Sequence, residues 1–265
     1  MKKAKKASRR WVVKAGSQMV CGGGPLLLRA WMNQVSLLRK NHGIEVIWVT
    51  SGAIASAVER TEFRPKNGKK RTLPEKQALS ALGQPMVMDQ YLLALNAAGM
   101  IGAQVLLTAG DMREKGRRRN LQNTLETLLN WKAVPILNEN DAIATDEIQF
   151  GDNDSLSSQI ARVMGAERLI LLTDVDGLYD SDPRTNPKAA LIPYRAKVTP
   201  RDLKYAGKNS GSGKGTGGMF SKLLAAREAA KDGIVTHLVR GDWPQNLVLL
   251  AKGNSIGTQI GGRYV

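Results

Sequence analysis

The sequence predicts an α/β fold, a largely parallel sheet covered by helices on both faces. Three observations carry that expectation: strand-like and helix-like segments alternate, the strand-like runs are apolar on both faces, and small or polar residues follow each run. WVVK (11–14) and EVIWVT (45–50) read as short buried strands, because β-branched residues run without a polar face. Between them Leu28, Trp31, Val35 and Leu38 recur at helical spacing, and Asn41-His42-Gly43 should stop the helix. The strand, helix, strand order then repeats. A helical region over about 74–98 leads to AQVLLT, a helix around 121–131 leads to VPILN, and Leu156, Ile160 and Val163 mark a helix that feeds RLILLT. EFRPKNGKKRT (62–72) lacks periodicity and reads as an exposed loop or lid, and residues 206–218, rich in Gly, Ser and Lys, should be mobile without a ligand. With no internal repeat and no interdomain linker, one domain over 11–265 is expected behind a flexible basic tail of residues 1–10.

Bulk properties agree with a globular chain. It has 265 residues, 42% of them hydrophobic, which is enough for a substantial core and too apolar for global disorder. Cys21 is the only cysteine, so an intrachain disulfide is excluded and a reducing compartment is the simpler assumption. The basic start MKKAKKASRR is followed by an apolar run that Lys14 interrupts after Trp11, Val12 and Val13, too short for an export signal. No segment approaches the roughly 20 apolar residues of a membrane span, and the cytoplasm is the expected location.

The formal net charge of +16 is concentrated in three blocks. They are Lys2, Lys3, Lys5, Lys6, Arg9 and Arg10; Arg60, Arg64, Lys66, Lys69, Lys70 and Arg71; and Arg113, Lys115, Arg117, Arg118 and Arg119. Runs like these attract nucleic acid or anionic metabolites. None interleaves the aromatic residues of a base-stacking platform, so a solvated basic surface is the favoured reading and a nucleic-acid partner is not expected.

In open parallel sheets ligands bind beyond the carboxyl ends of the strands, so the residues after each strand are the place to look for chemistry. They are Lys14-Ala15-Gly16-Ser17, Thr50-Ser51-Gly52-Ala53, the stretch NENDAIATDEIQFGDNDSLS (138–157), and Asp174-Val175-Asp176-Gly177. The long stretch puts six carboxylates and four side-chain amides into twenty residues of a strongly basic protein. Asp141, Asp146, Glu147, Asp152 and Asp154 are hard oxygen donors, but their spacing is not that of a calcium loop, and Asn153 and Asp154 sit where the next helix would be capped. GSGKGTGGMFSK (211–222) matches neither a dinucleotide fingerprint, since no strand precedes it, nor a Walker A loop, since Met219 follows Gly218. Its close glycines still let backbone amides approach phosphate, and a helix beginning at Ser221-Lys222 would favour an anion. Lys14, followed by Gly16-Ser17, suits a phosphate ligand better than a snorkelling role. His42 in a helix-ending turn and His237 in an apolar run are not placed as bases, and Cys21 lacks a partner that would activate it.

Together these motifs resemble the glutamate 5-kinases of the amino acid kinase family. The resemblance lies in VVKAGS, VTSGAIA, KQALSALGQ, NENDAIAT with GDNDSLS, TDVDGLYDSDPR and GTGGMFSK, in that order and over nearly the whole chain. It implies an αβα sandwich that uses ATP and Mg²⁺ to phosphorylate the side-chain carboxylate of L-glutamate, the first step of proline synthesis. By matching position, Ser51, Asp141 and Asn153 would bind glutamate, and Lys14, Thr173, Asp174, Thr216, Gly217, Gly218, Met219, Phe220, Ser221 and Lys222 would bind nucleotide. Lys14 and Lys222 would carry transition-state charge, with Asp154 holding the two lysines in place. Such chemistry needs no general base, because the acceptor is already ionised at neutral pH. Feedback inhibition by proline and a homodimer or homotetramer are further implications. Three departures stand out: Lys214 inside the glycine loop, Ala57 where a glycine is common, and an end at Val265 without the C-terminal PUA domain of many members.

Overall fold

The computed structural model describes residues 9–61, 63, 71–144, 153–208 and 218–264. Among them eight strands form one sheet in the order β3-β4-β2-β1-β5-β7-β8-β6. The strands are β1 (Arg9–Lys14), β2 (Ile44–Val49), β3 (Ile101–Leu107), β4 (Ala133–Glu139), β5 (Arg168–Thr173), β6 (Tyr194–Arg195), β7 (Val235–Arg240) and β8 (Thr258–Ile260). All neighbours are parallel except β7 and β8. The α/β expectation, with a largely parallel sheet between helices, is borne out.

Side-chain alternation along the central strands divides the core between the two faces. Trp11 and Val13 of β1, Val46 and Trp48 of β2, and Ile170 and Leu172 of β5 turn to one face. There they meet Trp31 and Val35 of α1 (Ser17–His42) and Tyr91 and Leu95 of α3 (Leu73–Ala97). Val12, Ile47, Val49, Leu169 and Leu171 turn the other way. They meet Leu125 of α5 (Lys115–Asn130), Ile160 of α6 (Asn153–Val163) and Leu223 of α8 (Met219–Ala230). Each fully buried large side chain contributes roughly 1.5–3 kcal/mol, so the double-sided burial of β1, β2 and β5 explains why their sequences carry no polar face.

Local signals set most boundaries. Gly43 ends α1 in the left-handed conformation (φ 61°), as the Asn-His-Gly turn predicts. Thr72 and Glu75 form a reciprocal capping box at the start of α3, with Pro74 in its first turn. Other boundaries differ from the sequence reading. β1 begins at Arg9, so Arg9 and Arg10 belong to the sheet and not to a tail. Arg9 pairs with Glu167 at 3.0 Å, and nearly buried Arg10 pairs with Glu45 at 3.0 Å and Glu126 at 2.8 Å. α1 begins at Ser17, well before Leu28, and is kinked where Gly24 leaves helical geometry ahead of Pro25. α5 begins at Lys115, not near Leu121, because its polar first turns show no apolar period. α2 (Ala53–Thr61), α4 (Ala109–Arg113), α7 (Pro200–Lys208), α9 (Asn246–Ala251) and strands β6 to β8 had no sequence counterpart. β6 and β8 span two and three residues, too few for a period to register.

Most of the 62–72 loop and of the glycine-rich segment 206–218 lies outside the described residues, although Ala206 ends up in α7. Of the basic blocks, three described residues form ion pairs: beside the Arg9 and Arg10 pairs, Arg117 meets Asp111 at 3.2 Å and Glu114 at 2.6 Å.

α2 and α3 are in close contact at Gly83, where an added Cβ would stand 1.8 Å from the Ala53 carbonyl oxygen. Gly83→Ala must therefore separate the two helices. It is expected to lower stability by roughly 1–3 kcal/mol, read as a reduced urea midpoint; an unchanged midpoint would contradict this contact.

Candidate active site

Three elements deliver three charged side chains to one buried point. Lys14 is the last residue of β1, in register with Val49 and Leu171, so it stands at the carboxyl edge of the sheet. Asp154 is in the first turn of α6, and Lys222 is in the first turn of α8 behind an N-cap at Gly218. Lys14 Nζ lies 2.6 Å from Asp154 Oδ1, and Lys222 Nζ lies 3.3 Å from Asp154 Oδ2. Ser221 Oγ also donates to Asp154 Oδ2 at 2.7 Å. Asp154 is 0% exposed, Lys14 3% and Lys222 6%. Burial alone would push the Asp154 carboxyl up, but the two ammonium groups outweigh it and hold the carboxyl well below its usual range. The carboxylate is therefore ionised at any physiological pH. Rather than capping its helix, as its position suggested, Asp154 binds both lysines.

Asn153, one residue earlier, faces another set of groups. Its Nδ2 lies 2.7 Å from the Thr50 carbonyl oxygen, 2.8 Å from Ser51 Oγ and 2.8 Å from Asn138 Oδ1. Ser51 begins the turn after β2, where Gly52 holds φ at 108°, a value side chains rarely tolerate. Asp141 follows β4 and accepts from Ser80 Oγ at 3.4 Å; burial pushes its carboxyl up, and the Ser80 bond only partly offsets that. The sequence reading missed the α3 side of this site. Gln77, Ser80 and Gln84 recur at helical spacing and reach, respectively, the Ala144 carbonyl at 3.0 Å, Asp141, and the Glu139 carbonyl at 3.0 Å. That polar stripe at helical spacing was the available signal.

Beyond Lys222 a cavity of about 130 Å³ is lined by Thr173, Asp174, Gly218, Met219 and Lys222, with Arg184 at its rim. Thr173 ends β5, and Asp174 forms an ion pair with Arg184. Phe220, 40% exposed, follows in the first turn of α8. Thr216, Gly217, Lys214, Asp146, Glu147 and Asp152 lie outside the described residues. Ala57 is buried in α2.

The residues set aside from chemistry are elsewhere or inert. His42 is the last residue of α1. His237 is buried in β7 with its imidazole pushed down to about 3 by burial and by Arg168, so it stays neutral. Burial pushes the Cys21 thiol up, and its Sγ sits 3.5 Å from Ser56 Oγ.

The description "Amino acid kinase family" covers residues 9–240, and the chain belongs to that family. Within it the similar proteins are glutamate 5-kinases. That of Meiothermus ruber is 45% identical over 96% of this chain and 66% of its own length. That of Geobacter sulfurreducens is 42% identical over 94% of this chain and 67% of its own length. The chain thus spans about two thirds of the length of these relatives. Among solved structures, an isopentenyl phosphate kinase superposes with a TM-score of 0.64 over 95% of this chain and 100% of its own, at 15% identity, a likeness of fold.

Asp154→Asn leaves two buried ammonium groups without their shared counter-charge. The variant is expected to lose roughly 3–5 kcal/mol at pH 7, measured by urea unfolding. The folded carboxyl titrates below its unfolded value of about 3.9, so this contribution is complete above that pH and is lost as pH falls beneath it. The gap between wild type and variant should narrow on acidification; a gap that widens toward pH 3 would contradict the ion-pair account.

Proposed function

We propose that the chain transfers the γ-phosphoryl group of ATP to the side-chain carboxylate of L-glutamate, giving L-glutamyl 5-phosphate and ADP, the first step of proline biosynthesis. The observation that carries this reading is the buried Lys14–Asp154–Lys222 cluster adjoining an amide and carboxylate pocket. A carboxylate oxygen of glutamate attacks the γ-phosphorus in line while the bond to the β-γ bridging oxygen breaks, and no proton has to be removed from the nucleophile. Two anions must meet, so the chain's task is alignment and charge cancellation. Lys14 and Lys222 face the migrating phosphoryl group, and Asp154 keeps both ammonium groups on one point.

On the acceptor side Ser51, Asn153 and Asp141 hold glutamate, with Asp141 opposite its ammonium group. Pairing with that cation would reverse the upward push on the Asp141 carboxyl. Thr173, Asp174 and the segment from Thr216 to Lys222 hold the nucleotide, the start of α8 offering backbone amides to the phosphates. Mg²⁺ enters as part of the nucleotide substrate, bound mainly by phosphate oxygens and water. The proposal extends to a cytoplasmic location, to proline as a feedback inhibitor competing for the glutamate pocket, and to a homodimer or homotetramer. Self-association is supported by β3, which borders the sheet among the described residues and carries exposed Ile101, and by Leu92 and Leu93, exposed on α3.

In a coupled assay, ADP release should require glutamate, ATP and Mg²⁺ together. Equal turnover with aspartate or uridylate would point to a sibling kinase instead. Lys222→Ala is expected to lower kcat by about 10²- to 10³-fold while the KM for glutamate changes only a few-fold, because its placement is beside the transferring group. Unchanged turnover would remove Lys222 from the mechanism.

A further inference from the structure

The acceptor pocket contains a chain of three side-chain amides with a fixed direction. Gln84 Nε2 donates to the Glu139 carbonyl oxygen at 3.0 Å, which leaves Gln84 Oε1 to accept from Asn138 Nδ2 at 3.1 Å. Asn138 Oδ1 in turn accepts from Asn153 Nδ2 at 2.8 Å. Amide oxygen and nitrogen are easily exchanged in assignment, but here main-chain groups, whose roles are invariant, fix each end. The Glu139 carbonyl can only accept, the Glu139 N–H donates to Asn138 Oδ1 at 2.9 Å, and the Thr50 carbonyl accepts from Asn153 Nδ2 at 2.7 Å. With its nitrogen committed, Asn153 is left presenting Oδ1, a buried acceptor with no hydrogen-bond partner among the described residues. A buried acceptor without a partner is a rare feature that calls for a ligand donor. Gln84 and Asn138 are 7% and 3% exposed, so water does not substitute readily for either link.

We propose that Gln84 is a positioning residue for substrate recognition: from α3 it anchors Asn138, whose Oδ1 holds Asn153 Nδ2, and so steadies the Asn153 carbonyl for the ammonium group of the amino-acid substrate. Gln84 itself touches no substrate. This inference rests on the proposed glutamate reading, and it adds a residue and a direction to it. Losing the anchor should loosen Asn138 and with it one of the contacts on Asn153, so that Oδ1 is held less firmly for an ammonium group. The defect should therefore fall on glutamate affinity and spare the nucleotide and the chemical step.

Two variants test it in the ADP assay. Gln84→Leu removes both hydrogen bonds and should raise the KM for glutamate about tenfold, with the KM for ATP and kcat within about threefold of wild type. Gln84→Glu keeps the shape and the acceptor toward Asn138, but its ionised form presents an oxygen to the Glu139 carbonyl. Protonation restores a donor there, so its KM defect for glutamate should shrink between pH 8.5 and pH 6 while wild type changes little. The second variant also decides the case if Gln84→Leu fails to fold. A glutamate KM within twofold of wild type in folded Gln84→Leu would overturn the proposal. So would equal rises in both KM values, or a Gln84→Glu defect insensitive to pH. Wild type without glutamate-dependent ADP release would instead sink the functional reading, a separate outcome.

Discussion

A carboxylate with no solvent exposure holds two lysines that arrive from opposite ends of the chain, and the architecture around the site follows from keeping that arrangement. Taking three charges out of water is costly and is offset only when their geometry is tight. Tightness here comes from the sheet: Lys14 is fixed by a central strand with partners on both sides, whereas Asp154 and Lys222 come from the first turns of two helices that lie against the same face. The three formal charges sum to one positive unit. A site so built suits an anion, and in the proposed reaction that anion is the phosphoryl group in transit.

The second constraint is the close contact of α2 and α3. Gly83 lets the Ala53 carbonyl approach α3 to a distance that no side chain permits. That contact sets the turn carrying Ser51 and Gly52 against the same helix that sends Gln77, Ser80 and Gln84 toward residues 139–144. Trp48 Nε1 and Thr50 Oγ1 both lie 3.0 Å from the Tyr91 hydroxyl, and this ties the end of β2 to α3 from beneath. One helix thus positions both walls of the proposed acceptor pocket. In that reading substrate recognition is coupled to core packing through it.

How much of this was legible in the sequence depended on the kind of signal. The central strands were readable because burial on both faces leaves an unbroken apolar run, and Gly43 because a left-handed residue there nearly demands glycine. The start of α5 was hidden because its first turns, KGRRRN, are polar and held by ion pairs of Arg117 with Asp111 and Glu114, not by an apolar stripe. β6 and β8 were hidden by their shortness. Within the site, glycines, lysines and acids attract attention because they are conspicuous at strand ends. Gln84 and Ser80 did not, since a polar residue inside a helix reads locally as a solvent-facing position until its distant partner is known.

The density of acids and amides in a basic protein finds its reason in two adjacent residues. Successive positions on a helix point about 100° apart, so the first turn of α6 can address two neighbourhoods at once. Asn153 turns to Thr50, Ser51 and Asn138; Asp154 turns to Lys14 and Lys222. One neighbourhood is rich in acceptors and suits the cationic end of an amino acid, and the other is rich in cations and suits phosphate. In the proposed reaction glutamate carries its ammonium and its reacting carboxylate at opposite ends, so a dividing element of this kind would bind it in one orientation only. Exchanging the two residue types would place a carboxylate against the Thr50 carbonyl and the Asn138 amide oxygen and leave the lysines facing a neutral amide. Their order along the chain is therefore as much a part of the site as their identity.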